Sequence, residues 1–379
     1  MDIKKESLDL HEKLKGKLEV KSKIALKTKK DFSLAYTPGV AEPCKKIHEN
    51  KNDVYKYTIK QNTVAVISNG TAVLGLGNIG AEAAIPVMEG KAAIFKELAG
   101  IDAFPICINS EDAEENINII KKISPVFGGV NLEDYKSPEC FEIEKNLQDL
   151  GIPVMHDDQH GTAVVVLAAL INSLKVLNKK IEDVKIVFSG AGAAAIAISK
   201  LLISYGAKGD NVILCDRKGA IYDGRDNLNK PKKEISEITN LKKENGSLKK
   251  VLEGADVFIG VSTGDVLEEK DVEKMNGGII FAMANPVPEI SPEKAKKGGA
   301  KIIATGRSDF PNQVNNALAF PGIFRGALDV RAKRITEKMK IAAAEAIANF
   351  VEPTSEKILP EITDRKVVAA VAEAVKKAV

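Results

Sequence analysis

Short apolar runs alternate with longer stretches of helical period along nearly the whole chain. In the first half these runs predict strands at residues 64–68, 103–108, 125–130 and 152–155, each bounded by turn residues. In the second half they predict strands at residues 184–189, 211–215, 256–261, 278–282 and 301–304. Strands that alternate with helices are typical of parallel sheets covered by helices on both faces. The pattern therefore predicts an α/β fold with two mainly parallel sheets.

A mostly apolar segment, residues 162–177, separates the two series and predicts a helix that packs on both sides. We place the domain boundary there, with a first domain at residues 1–160 and a second at residues 161–379. The charged stretch at residues 229–250 predicts a solvated excursion, since charge runs are usually exposed faces. Residues 322–379 are rich in Ala and helical in period, so we expect them to fold back and brace the two domains.

Charge and composition narrow the range of partners. The 55 Lys and Arg residues against 52 Asp and Glu give a formal charge of +3, which favours a small-molecule partner over nucleic acid or an anionic membrane. The longest apolar run, residues 163–171, is about half of the ~18 residues that a membrane span needs. The charged amino-terminal stretch lacks a secretion signal, and the four cysteines are scattered. We therefore expect a cytoplasmic protein.

A turn of small residues follows the predicted strand at residues 184–189 and precedes a helix. It contains Gly190, Ala191, Gly192, Ala193 and Ala194. Gly190 allows a tight turn, Gly192 lets the backbone approach a pyrophosphate, and the helix N-terminus presents free N–H groups to the phosphates. The next strand ends at Asp216, 26 residues after Gly190, where a carboxylate can bind the adenosine ribose. The second domain is thus predicted to be a Rossmann-type domain that binds NAD or NADP.

The residues around Asp216 leave the choice between the two nucleotides open. Asp216 favours NAD because it would repel a 2′-phosphate. Arg217 and Lys218 follow immediately and could neutralise that phosphate instead. We expect NAD slightly more than NADP.

Acidic residues follow two predicted strands of the first domain. Glu133 and Asp134 follow one strand, and His156, Asp157 and Asp158 follow another. Glu133 and Asp134 can share a ligand only if the chain has left the strand there, because neighbouring strand residues point to opposite faces. Converging carboxylates require a compensating cation, and ligation by oxygen alone suits Mg2+ or Mn2+. The alternative is that these acids cap the helices that follow.

Two further residues could move protons. Lys91 lies among apolar neighbours in a segment of helical period, and both desolvation and a nearby cation would lower its pKa enough for it to act as a base. Tyr36 precedes Thr37, Pro38 and Gly39, which predicts a fixed loop from which the phenol can donate a proton. The alternatives are a surface lysine and an ordinary packed tyrosine.

The sequence resembles the malic enzyme family, in particular its short bacterial and archaeal form, over about residues 20–335. The shared stretches are YTPGV, GLGNIG, EGKAAIF, NLED, HDDQHGTA, GAGAAAIA, FAMANPVPE and QVNNALAFPGIFRGALDV. This resemblance implies oxidative decarboxylation of (S)-malate to pyruvate and CO2 with NAD or NADP, through oxaloacetate and enolpyruvate. Decarboxylation of added oxaloacetate and a homodimer are also expected. The alternative is a metal-independent hydroxy-acid or amino-acid dehydrogenase, which shares the two-domain plan and needs no carboxylate cluster.

The resemblance also implies a role for each matching residue. The metal would be held by Glu133, Asp134 and Asp158. Lys91 would be the base and Tyr36 the acid. Asp157 would orient Lys91. Substrate or nicotinamide would be contacted by Asn285, Asn315 and Asn316. One departure concerns an arginine that larger eukaryotic members use to hold a malate carboxylate, because the corresponding position here is Ala72.

Overall fold

Two parallel sheets follow each other along the chain in the computed structural model, which describes residues 3–379. The first has the strand order β2-β1-β3-β4 and consists of β1 (Thr63–Ser68), β2 (Asp102–Cys107), β3 (Gly129–Leu132) and β4 (Val154–His156). The second has the order β10-β9-β8-β5-β6-β7 and consists of β5 (Ile186–Ser189), β6 (Val212–Asp216), β7 (Gly219–Ala220), β8 (Val257–Gly260), β9 (Ile279–Ala282) and β10 (Ile302–Thr305). All pairs are parallel except β6 with β7. The predicted α/β class is confirmed.

Helices cover both sheets. Those before the second sheet are α1 (Ile3–Leu14), α2 (Lys29–Ala35), α3 (Ala41–Glu49), α4 (Val54–Tyr57), α5 (Ala81–Ala99), α6 (Ala113–Ile123), α7 (Glu139–Leu147) and α8 (Asp157–Leu177). Those that follow are α9 (Ala193–Tyr205), α10 (Lys230–Ser236), α11 (Leu248–Val251), α12 (Glu269–Val272), α13 (Pro292–Lys297), α14 (Phe320–Asp329), α15 (Glu337–Ala348) and α16 (Arg365–Lys377).

Helix α8 is the central helix and belongs to a hydrophobic core that includes strand residues of both sheets. Within residues 3–379 it is the one helix long and apolar enough to cross a membrane, judged by length and composition. However, 72% of its most apolar window is buried inside the protein. Packing against protein on both sides therefore accounts for its apolar composition. The helix begins at Asp157, five residues before the predicted start at residue 162.

The carboxyl-terminal helices pack against the first half of the chain. The Phe95 ring on α5 contacts the rings of Phe320 and Phe324 on α14 edge-on, with centroid distances of 4.8 and 5.4 Å. Arg325 donates a 2.7 Å hydrogen bond to the side-chain oxygen of Asn62. One hydrophobic core cluster contains residues of both halves of the chain, so the core does not mark a boundary between them. The domain boundary at residue 160 therefore stays a prediction.

Two predicted segments differ from the structure. Residues 124–126 form a 3-10 turn, and β3 starts at Gly129, because Pro125 has no N–H for a strand ladder and its fixed φ suits a first helical turn. The charged stretch at residues 229–250 is only partly solvated. It contains α10 and α11, and the side chains of Ile235 and Asn240 are fully buried.

Candidate active site

The acids that follow β3 and β4 converge. These strands are neighbours with Leu132 opposite His156, so both chains leave the sheet at the same edge. Asp134 has φ 57°, a left-handed conformation that Asp tolerates, and the chain has therefore left the strand at this point. Carboxylate oxygens of Glu133, Asp134 and Asp158 lie within 4.8 Å of one another. The predicted convergence of these three side chains is what the structure shows.

This acidic cluster has an excess of negative charge. Burial, together with repulsion from the neighbouring acids, raises the pKa of Asp134 to about 8 and that of Glu133 well above its usual range. The backbone N–H of Asp134 donates a 2.8 Å hydrogen bond to Asp158, whereas the buried Oδ2 of Asp134 has no hydrogen-bond partner among the described residues. Asn131 Nδ2 donates to Glu133 at 3.0 Å. An oxygen-only set of this kind fits a hard divalent cation such as Mg2+ or Mn2+.

Lys91 projects from α5 into the acidic cluster, and 11% of its side chain is exposed. Its ammonium donates to the Asp157 carboxylate and lies 3.1 Å from Glu133 Oε1. It also lies 4.4 Å from the centroid of the Phe320 ring. Burial alone would lower the pKa of Lys91, but attraction to Asp157, Glu133 and Asp158 raises it overall. The alternative of a surface lysine is thus wrong.

Asp157 is completely buried in the first turn of α8. Burial raises its pKa to about 6, against the lowering effect of Lys91. Its carboxylate lies over Gly161 one turn later, and a Cβ on Gly161 would lie 1.7 Å from Asp157 Oδ1. Glycine at this helical position therefore leaves the space that the carboxylate occupies.

Side chains and loops of the second half reach the same region. Asn316 Oδ1 accepts a 3.3 Å hydrogen bond from Lys91. The carbonyl of Asn285, after β9, lies 3.0 Å from the position of a Cβ on Gly75, so the GLGNIG loop lies against the loop after β9. Asn315 Oδ1 accepts from the Ala317 N–H at 2.9 Å and thereby caps the 3-10 turn Asn316–Leu318. The two halves thus meet at Lys91 and at Asn285.

The turn after β5 has the shape expected of a phosphate-binding turn. Gly190 has φ 116°, and a Cβ there would lie 2.7 Å from the Val261 carbonyl. Gly192 is the N-cap residue of α9, which has no side-chain cap, and a Cβ there would meet no atom within 4 Å. Ala193 and Ala194 begin the first helical turn, whose N–H groups have no partner within the helix. The arrangement fits a nucleotide pyrophosphate.

Asp216, at the end of β6, is held by two cations that sequence reasoning missed. Arg225 donates to both of its oxygens at 2.5 and 3.0 Å, and Lys232 Nζ donates at 2.8 Å. Burial would raise the pKa of Asp216, but these hydrogen bonds hold it well below its usual range. Arg225 and Lys232 lie 9 and 16 residues beyond Asp216, and Lys232 belongs to the charged stretch at residues 229–250 that was predicted to be solvated. Their charge weakens the expectation that Asp216 alone disfavours NADP.

Tyr36 is not brought to the acidic cluster within the described chain. It follows α2, its side chain is 72% exposed, and its hydroxyl makes no hydrogen bond within residues 3–379. Ala72, the position of the expected arginine, borders the acidic cluster, because its N–H donates to the Asp134 carbonyl at 2.9 Å. Ala72 supplies no charge there.

A phosphate-binding turn together with a buried lysine among carboxylates defines the class as a nucleotide-dependent oxidoreductase. Family models named "Malic enzyme, N-terminal domain" and "Malic enzyme, NAD binding domain" match residues 15–117 and 159–379. The chain belongs to the malic enzyme family. The predicted family is therefore confirmed.

Individual relatives are similar over the whole chain. The bifunctional malic/malolactic enzyme of Bacillus subtilis (strain 168) is 56% identical over 100% of this chain and 93% of its own length. The NADP-dependent malic enzyme of Escherichia coli (strain K12) is 48% identical over 99% of this chain and 52% of its own. The crystal structure of the NAD-dependent malic enzyme from Thermotoga maritima has a TM-score of 0.95, with 50% identity over 98% of this chain and 99% of that one. Relatives named for NAD and for NADP thus both occur.

Proposed function

We propose that this protein oxidises (S)-malate with NAD or NADP and releases CO2 to leave pyruvate. The observation that carries this proposal is the buried ammonium of Lys91, which bonds to Asp157 and lies 3.1 Å from Glu133, beside the other acids. Membership of the malic enzyme family supports the same reaction. A metal-independent dehydrogenase is not favoured, since it would need no convergence of three carboxylates.

Glu133, Asp134 and Asp158 would hold Mg2+ or Mn2+. When bound, such a cation acts as a Lewis acid that stabilises negative charge on the substrate oxygens. A bound cation would compensate the negative charge of the acidic cluster and thereby change the pKa of Lys91. The attraction that raises the pKa of Lys91 would weaken, whereas burial, which lowers that pKa, would remain.

Lys91 is then suited to be the base. Its Nζ accepts the proton of the malate hydroxyl while hydride leaves for the nicotinamide ring. Asp157 orients the amine through its hydrogen bond, and Asn316 supports it from the second half of the chain. We assign Asn285, on the loop that contacts the GLGNIG turn, to the substrate and nicotinamide. After loss of CO2, the Tyr36 hydroxyl donates a proton to the enolpyruvate carbon.

We propose a homodimer that covers Tyr36 and brings its hydroxyl, which lies outside the acidic cluster of its own chain, to the acidic cluster of the partner subunit. No side chain in residues 3–59 is buried, and exposed large apolar residues in this stretch include Leu8, Phe32 and Leu34. A proton donor at an enolate carbon must be shielded from water. Sedimentation should therefore show a dimer. Leu34→Asp should produce monomers with little activity, while Lys45→Asp, on an exposed face of α3, should leave the dimer intact.

The cofactor proposal follows from the charges around Asp216. Because Arg225 and Lys232 compensate its carboxylate, we propose that both nucleotides are accepted. A cytoplasmic location remains part of the proposal.

An absorbance assay of nucleotide reduction tests the function. Malate is supplied with NAD or NADP, and Mn2+ is either present or removed by a chelator. We expect nucleotide reduction with pyruvate as product, and loss of both on chelation that added Mn2+ reverses. Reduction that persists without metal, or a product other than pyruvate, would contradict the proposal.

A further inference from the structure

A partly buried chain of hydrogen bonds links three helices behind the acidic cluster. Lys340 Nζ on α15 lies 2.9 Å from Nδ1 of His160 on α8. His160 Nε2 lies 3.0 Å from Oε2 of Glu144 on α7. The other oxygen of Glu144 accepts a 2.9 Å hydrogen bond from the backbone N–H of His156. The chain thus ends at the residue that precedes Asp157.

The partners of His160 determine where its proton lies. A lysine ammonium has donors and no acceptor, so Nδ1 of His160 accepts from Lys340. Nε2 therefore carries the ring proton and donates it to Glu144. A positive and a negative side chain are in this way connected through the imidazole of His160.

Glu144 serves as a cap supplied from another helix. The N-cap residue of α8, His156, makes no side-chain cap of its own. The first N–H groups of a helix have no partner within it, and a carboxylate there also interacts favourably with the helix dipole. The next two residues are Asp157 and Asp158, whose orientation depends on the first turn of α8.

We propose that Glu144, His160 and Lys340 form a positioning relay that fixes the first turn of α8 and with it the carboxylates of Asp157 and Asp158. The part of the inference that concerns metal binding rests on the proposed function. None of the three residues contacts substrate in this role. They act through the backbone that carries the two acids.

Paired substitutions distinguish the relay from ordinary packing. Glu144→Gln turns an amide donor toward the His160 Nε2–H and removes the main counter-charge of Lys340, which leaves only the weaker attraction of Glu337. Lys340→Gln removes the lysine charge that balances the Glu144 carboxylate. In the double variant the His160 proton can move to Nδ1, where the amide oxygen at position 340 accepts it, while the amide at position 144 donates to Nε2. The hydrogen bonds among residues 144, 160 and 340 are then satisfied without charge.

Two measurements test the relay. In metal-free protein, amide hydrogen exchange over residues 152–161 should be faster in each single variant and return toward wild type in the double variant. The Kd for Mn2+, measured by electron paramagnetic resonance of the free ion, should rise by about 10- to 100-fold in each single variant, the usual effect of losing a partner behind a metal ligand, and recover in the double. The control is Lys179→Met, which breaks the partly buried pair with Asp256. It should lower Tm and change neither measurement.

The outcomes separate the relay from the metal assignment. The relay would be overturned if the single variants had the same exchange rates and the same Kd for Mn2+ as Lys179→Met. It would also be overturned if the effects of the two single substitutions added up in the double variant. If the variants show the expected hydrogen-exchange pattern but the wild-type protein binds no Mn2+, the relay would be supported and the metal site of the proposed function refuted.

Discussion

The Lys91 ammonium donates a hydrogen bond to the fully buried carboxylate of Asp157. The lysine comes from α5 and the acid from α8, 66 residues later. This pair joins the proposed base to the helix that also carries Asp158.

Lys91→Met should lower malate turnover by about 10²- to 10⁴-fold, the usual contribution of a general base. Nucleotide affinity should stay unchanged, because the phosphate-binding turn lies on the other sheet. Steady-state kinetics and nucleotide fluorescence measure the two quantities. Lys96→Met is the matched control, since Lys96 lies on the same helix and is exposed beside Asp102. Turnover that is equal in the two variants would remove Lys91 from the mechanism.

Gly161→Ala should lower turnover by displacing the Asp157 carboxylate, which the new Cβ would meet at 1.7 Å. Gly90→Ala is the control, because Gly90 is also helical and a Cβ there meets nothing within 4 Å. That substitution should stabilise the protein by about 0.5–1 kcal/mol through helix propensity and keep full activity. Kinetics and denaturant unfolding give both values. If Gly161→Ala behaved like Gly90→Ala, Asp157 would not need its present position.

Stabilisation by Mn2+ should increase with pH. An acid whose pKa is raised in the folded state stabilises the fold below its ordinary pKa of about 4, and that contribution is lost as pH rises through the folded value. For Asp134 that value is about 8, and the pKa of Glu133 is raised as well. Metal-free protein should therefore have a lower Tm at pH 8 than at pH 6, and saturating Mn2+ should raise Tm more at pH 8.

The control for this pH dependence is Asp134→Asn, which should flatten it. Asp149→Asn, at a 98% exposed side chain, should leave it unchanged. Equal Tm shifts with Mn2+ at both pH values in the wild type would contradict the account of the acidic charge.

Lys232→Ala should reduce kcat/KM with NADP about tenfold more than with NAD, because one charge-assisted hydrogen bond near the 2′-phosphate would be lost. Lys243→Ala provides the comparison, since its ion pair with Asp223 is solvent-exposed. Kinetics with both nucleotides measure the ratio. An equal change for the two nucleotides would show that Lys232 does not face the 2′-phosphate.

Convergence of the acids was predictable because strand ends can be located from apolar runs and turn residues. Glu133, Asp134 and Asp158 follow neighbouring parallel strands, whose carboxyl ends share one edge. The phosphate-binding turn at Gly190 was predictable for a similar reason, as its signal lies within a short local segment.

The partners of these residues were not predictable, because helix packing brings them from distant parts of the chain. Lys340 contacts His160 across 180 residues, and Lys232 contacts Asp216 from a stretch whose charge indicated only exposure. The early start of α8 at Asp157 also has no local signal. It depends on the cap that Glu144 provides from α7.

A titration of metal-free protein with Mn2+ tests the central claim most directly. Wild type and Asp158→Asn are compared, with Asp149→Asn as the control for loss of an exposed acid. We predict one tight site in the wild type and the control, and a Kd about 10- to 100-fold higher for Asp158→Asn. The same Kd in all three proteins would show that the converging carboxylates of the first sheet do not hold the cation.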